Sequence, residues 1–87
     1  MRFMVQGQFA GAPTPEVLAL IPAETARGLE LDAQGVRLHV FIAADLSGGW
    51  QIYEVGSRDE LDRLLASFPL HSHQVETITQ LRDDPPP

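Results

Sequence analysis

The spacing of apolar residues changes from two to about three and a half and back again, twice along the chain, and this alternation is what limits the fold most. From Arg2 to Phe9, the residues Phe3, Val5 and Phe9 fall on one parity, as on a strand with one strongly apolar face. Thr14 followed by Pro15 marks a helix start: threonine can cap, and the missing N–H of proline costs nothing at the first helical position. Val17, Leu18 and Ile21, then Ala26, Leu29 and Ala33, supply an apolar stripe that Gly35 terminates, and Pro22 between the two groups must kink or restart the helix. A second strand follows, with Val36, Leu38, Val40 and Ile42 expected on one face and Arg37, His39 and Phe41 on the other. Asp45, Leu46, Ser47, Gly48 and Gly49 make a turn into a third strand over residues 50–55, giving an antiparallel hairpin. Ser57 and Glu60 have the spacing of a capping box, and Leu61, Leu64, Leu65 and Phe68 then fall at i, i+3, i+4 and i+7 before Pro69. Residues 73–81 alternate once more through Val75, Thr77, Thr79 and Leu81.

The order βαββαβ predicts a ferredoxin-like α+β fold, a four-stranded antiparallel sheet with two helices on one face. A single domain should cover residues 1–82, with a polar, proline-rich tail over 83–87. A chain of this size buries only about 60–65% of the surface it exposes when unfolded. Large residues such as Phe41, Trp50 and Ile52 also look too numerous for one covered face. A second copy is the economical cover, so a homodimer or larger homo-oligomer is expected.

Charge and composition then remove whole classes of function. Twelve acidic residues against six basic ones give a net charge of −6, which disfavours nucleic acid and anionic membrane surfaces as partners. There is no lysine for a Schiff base and no cysteine for a disulfide, a thiolate nucleophile or a thiolate-bound metal. No stretch approaches the roughly 20 apolar residues of a membrane span, and the N-terminus alternates with glutamines, so a cytoplasmic protein is the expectation. His71 and His73 offer two imidazoles on one segment, one short of the protein ligand set of a catalytic zinc, and read as a polar connector; no metal is expected.

Residues 55–70, Val-Gly-Ser-Arg-Asp-Glu-Leu-Asp-Arg-Leu-Leu-Ala-Ser-Phe-Pro-Leu, resemble the second helix of muconolactone isomerases, which reads as Ser-x-Asp-Glu-Leu followed by Leu-Leu and Leu-Pro-Leu. Glu24, Gln34-Gly35, Arg37 and His39 stand at that family's spacing without gaps, so the resemblance covers most of residues 14–81. It implies a dimeric α+β barrel with a pocket between sheet and helices, near a neighbouring subunit. It also implies a reaction, the isomerisation of muconolactone to the enol-lactone of 3-oxoadipate in aromatic catabolism, with neither cofactor nor metal. Such a proton shift needs a base that reaches the lactone carbons and donors for the developing enolate oxygen. On this resemblance Glu24 is the candidate base. His39 polarises the lactone carbonyl or shares the proton transfer, Arg37 holds the substrate carboxylate, and Trp50 and Tyr53 wall the pocket or donate into it.

Taken without the resemblance, Glu24 is an acid in the first turn of a helix, where the helix dipole favours it, and His39 is a strand histidine. The chain departs from the isomerase pattern at Pro22, Thr25 and Gly28, and at Asp83-Asp84-Pro85, where the isomerases look basic. Two other functions fit the same barrel: a non-catalytic oligomeric protein that binds a small molecule, and a cofactor-free monooxygenase or cyclase.

Overall fold

A computed structural model describes residues 1–83 of the chain. Its elements are β1 (Arg2–Phe9), α1 (Pro15–Leu18), α2 (Ile21–Ala33), β2 (Arg37–Ile42), β3 (Gly48–Glu54), α3 (Arg58–Ala66) and β4 (Gln74–Leu81), the last entered through a 3₁₀ turn over His71–His73. The strands form one antiparallel sheet in the order β2-β3-β1-β4, the ferredoxin-like arrangement. Apart from Asp83, the tail anticipated over 83–87 lies outside the described residues.

Local signals set the helix ends. Thr14 Oγ1 accepts from the Val17 N–H at 3.3 Å to start α1, and the break after Leu18 lets Pro22 sit in the first turn of α2, so the proline restarts the helix. At the far end of α2, Gly35 takes φ +72°. There its N–H bonds the Asp32 carbonyl at 3.1 Å while Val36 N–H bonds the Leu31 carbonyl at 3.0 Å, the two bonds of a Schellman motif. For α3, Ser57 Oγ accepts from the Glu60 N–H at 3.1 Å, whereas Glu60 Oε2 reaches one residue further back than the capping box requires, to the Gly56 N–H at 2.7 Å.

The helices share one face of the sheet. Phe3 and Val5 of β1 and Tyr53 of β3 pack with Leu31 of α2, Leu61 and Leu65 of α3, and Val55 and Phe68 into the core. Burial of each such side chain is worth about 1.5–3 kcal/mol. On β4 it is Ile78 that packs against this core. Gln74, Glu76 and Gln80 share its parity, so Val75, Thr77, Thr79 and Leu81 stand on the opposite, helix-free face.

The β2–β3 ladder is irregular. Arg37 pairs with Tyr53 but His39 pairs with Ile52, a register shift that places a bulge at Leu38. Arg37, Val40 and Ile42 therefore face the helices, while His39 and Phe41 face away, with their rings stacked 6.1 Å apart. The single alternation expected for this strand is corrected here, because a bulge exchanges the two faces for every residue beyond it. The helix-free face also carries Trp50, opposite Gln6 and Phe41, and leaves Phe41 and Val75 more than half exposed.

A Cβ at Gly35 would meet nothing within 4 Å, so a substitution there probes backbone conformation alone. Gly35→Ala should lower the unfolding free energy by about 1–2 kcal/mol, with Gly35→Asn costing less. Urea unfolding measures both, and an unchanged midpoint for the alanine variant would contradict the role given to this residue.

Candidate active site

Between the sheet and α2 lies a cavity of about 520 Å³. Its floor contains the paired strand glycines Gly7 and Gly49, whose missing side chains leave depth where the core would otherwise continue. Apolar walls come from Val5, Ile21, Leu29, Val40, Ile42 and Leu46, and polar groups from Glu24, Arg37, Gln51, Gln74 and Glu76. Such a site, mostly apolar with a few converging polar groups, suits a small organic ligand.

Glu24, in the first turn of α2, is the carboxylate most firmly held in the cavity. Its Oε1 accepts from the Leu70 N–H at 2.8 Å, a contact that ties α2 to the segment after α3. Burial raises its pKa above the ordinary value, with the nearby Glu76 charge adding to the rise; the Leu70 N–H, Arg37 and His71 oppose it without reversing it. Arg37 reaches the same cavity from β2. Its Nε and Nη2 bind Asp32 Oδ1 and Oδ2 at 2.7 and 3.0 Å, and this bidentate pair raises the arginine pKa and lowers that of the aspartate. The other edge of the guanidinium is left for a ligand.

That arginine lies flat over the backbone of α2 at Gly28, where an added Cβ would stand 2.5 Å from Nη2 and 2.7 Å from Cζ. Gly28 is thus the seat of the guanidinium. Below the cavity, Tyr53 is fully buried and its hydroxyl donates to Gln51 Oε1. Burial pushes its phenol pKa well up, so it stays a donor. With its oxygen occupied in this way, Gln51 has its NH₂ group left to donate.

The structure brings together Glu24 and Arg37, with Tyr53 beneath them behind Gln51. It does not bring His39 or Trp50 to this cavity. The bulge at Leu38 and the parity of β3 place both on the helix-free face, so the anticipated grouping of Glu24 with His39 within one chain is corrected. His71 and His73 occupy a 3₁₀ turn rather than an extended segment. His71 Nδ1 lies 2.9 Å from Glu76 Oε1, in ion-pair range but off the axis of a ring hydrogen bond. Among the described residues no group of three His, Asp or Glu is placed to hold a metal ion, and no helix is long and apolar enough to cross a membrane. Glu76 and Gln51 escaped the sequence reading. Counting β4 in steps of two from Ile78, the apolar residue that interrupts its polar parity, would have found Glu76.

Two outcomes follow. A folded-state carboxyl with a raised pKa binds its proton more tightly than the unfolded chain does, so stability falls as pH rises through the window between the two pKa values. Glu24→Gln keeps an acceptor for Leu70 but cannot ionise; it should match the wild type in Tm at pH 4 and exceed it at pH 7, and lower stability at pH 7 would contradict the burial argument. Gly28→Ala gains about 1 kcal/mol in helix propensity but pushes Arg37 off its seat and strains the Asp32 pair, so it should weaken binding of carboxylate ligands with only a small net change in Tm. Calorimetric titration with a small dicarboxylate would show it.

Comparison with known proteins agrees with this architecture. The chain is similar to the crystal structure of a muconolactone isomerase, with a TM-score of 0.81, 20% identity, and coverage of 98% of this chain and 92% of that one. It is similar also to a 5-chloro-2-hydroxyhydroquinone dehydrochlorinase from Burkholderia phenoliruptrix AC1100, solved with 2,5-dihydroxybenzoquinone, at a TM-score of 0.67, 15% identity and 94% coverage of both chains. An antibiotic biosynthesis monooxygenase aligns at a TM-score of 0.57 and 18% identity over 98% of this chain and all of that one. At these identities the likeness concerns the fold. No curated protein matches the sequence. The family model for muconolactone delta-isomerase, however, matches residues 1–86, and the chain belongs to that family.

Proposed function

We propose that this protein is an isomerase that needs no cofactor and shifts a proton along a small unsaturated lactone of aromatic catabolism, working as a cytoplasmic homo-oligomer. Such a shift neither adds nor removes electrons, so acids and bases of the chain suffice for it. The observation that carries the reading is Glu24: a carboxylate with a raised pKa, fixed by the Leu70 N–H, in an apolar cavity that also presents the free edge of Arg37.

In this mechanism Arg37 anchors the carboxylate of the substrate. Glu24 takes the proton from the γ carbon of the lactone, and the electron pair left behind spreads through the conjugated system to the carbonyl oxygen. The Gln51 NH₂ group, aimed by Tyr53, stabilises the oxygen as its charge grows. A proton returned to the α carbon completes the shift of the double bond. His39 and Trp50 have no step within their own chain.

Muconolactone turnover followed by ultraviolet absorbance tests the proposal. Glu24→Gln should lower kcat by about 10²–10⁴-fold with little change in KM, the size expected for loss of a positioned base. Equal rates for variant and wild type would remove Glu24 from the chemistry.

A further inference from the structure

The cavity contains a second carboxylate. Glu76 sits on the helix-facing parity of β4 with its side chain 15% exposed, an unusual degree of burial for a glutamate with no arginine ion pair among the described residues. Consecutive residues meet the two acids: the Leu70 N–H donates to Glu24, and His71 Nδ1 stands 2.9 Å from Glu76 Oε1. One short connector between α3 and β4 therefore touches both carboxylates at the wall of a single cavity.

We propose that Glu76 is the second proton-transfer group of this site, an acid that delivers a proton to one carbon of the lactone while Glu24 removes a proton from the other. The inference rests on the isomerase reading and deepens it. Two carboxylates at the wall of one largely apolar cavity ionise together only at a cost, which favours a proton on one of them. The charged and titratable groups around Glu76 are His71 at its own end, Glu24 from α2, Arg37 from β2 and the Tyr53 phenol from β3. Arg37, whose charge is shared with Asp32, is insufficient to hold both carboxylates as anions. Burial raises the pKa of both glutamates; the Leu70 N–H and the Arg37 charge favour the anion at Glu24, and His71 opposes the rise at Glu76.

The step balances. The Glu24 carboxylate accepts the γ proton, the negative charge passes to the lactone as a dienolate, and the Glu76 carboxylic acid releases its proton to the α carbon. The C=C bond has moved, the substrate has kept its composition, and the pair has exchanged its proton from Glu76 to Glu24. A water in the cavity can carry that proton back. A lone base would instead return part of the protons it had removed to the α carbon of the same molecule.

Muconolactone in D₂O, followed by proton NMR, separates these mechanisms. In the wild type every newly formed α position should carry deuterium, and none should carry the former γ proton. Glu76→Gln should slow product formation by about 10²–10⁴-fold while the γ proton of recovered substrate still exchanges with solvent, since Glu24 remains. Glu24→Gln should lose both. Transfer of the γ proton to the α carbon in the wild type overturns the proposal without recourse to any variant, as does wild-type turnover by Glu76→Gln, or an equal loss of exchange and turnover in that variant. A wild type that neither isomerises nor exchanges muconolactone defeats the isomerase reading itself, and this inference with it.

Discussion

At Leu38 the ladder between β2 and β3 skips one residue, and because strand side chains alternate, the skip decides which groups of β2 meet the helices. Without it Arg37 and His39 would share a face. With it, Arg37, Val40 and Ile42 line the cavity while His39 and Phe41 stack on the outside. The position of Arg37 then depends on α2, where Gly28 leaves room for the guanidinium and Asp32 binds it on one edge. One irregularity in a hydrogen-bond ladder thus sets the charge, shape and donors of the pocket.

The connector after α3 is the counterpart of that bulge. Helix α3 ends at Ala66, short of Pro69, and the chain turns through Leu70 into a single 3₁₀ turn before entering β4. Leu70 is buried, and its N–H faces Glu24 across the space between α2 and the connector. Burial and backbone donation pull the Glu24 pKa in opposite directions, and burial prevails. A carboxylate poised in this way is more basic than a surface glutamate yet held in one geometry, which suits the proton abstraction proposed for it.

Much of this was legible in the sequence because it is local. The caps at Thr14 and Ser57, the stop at Gly35 and the apolar stripe of α3 depend on residues within a few positions, and the structure has each of them. The order of elements followed from periodicity, and with it the ferredoxin-like fold. Strand faces were less legible. A bulge is a property of two strands together, so nothing in Arg37-Leu38-His39 announces it. The face of β4 was obscured because Val75 and Leu81 are apolar yet point away from the helices, while the helix side of the strand is mostly polar around Ile78. Glu24 and Arg37 stood out as site candidates through the family resemblance, whereas nothing in the pattern of β4 singled out their neighbour Glu76.

The proposed reaction requires ligand to bind on the helix side of the sheet, between Glu24 and Arg37, and not on the face that carries His39 and Trp50. Heteronuclear NMR of the protein titrated with muconolactone, or with an unreactive saturated lactone acid, reads both faces at once. Large shifts of the Leu70 amide, the Arg37 Nε–H and the Gln51 side-chain amide, with the His39 imidazole and Trp50 indole unmoved, are the predicted result. Shifts confined to His39 and Trp50 would contradict it and move the site to the opposite face.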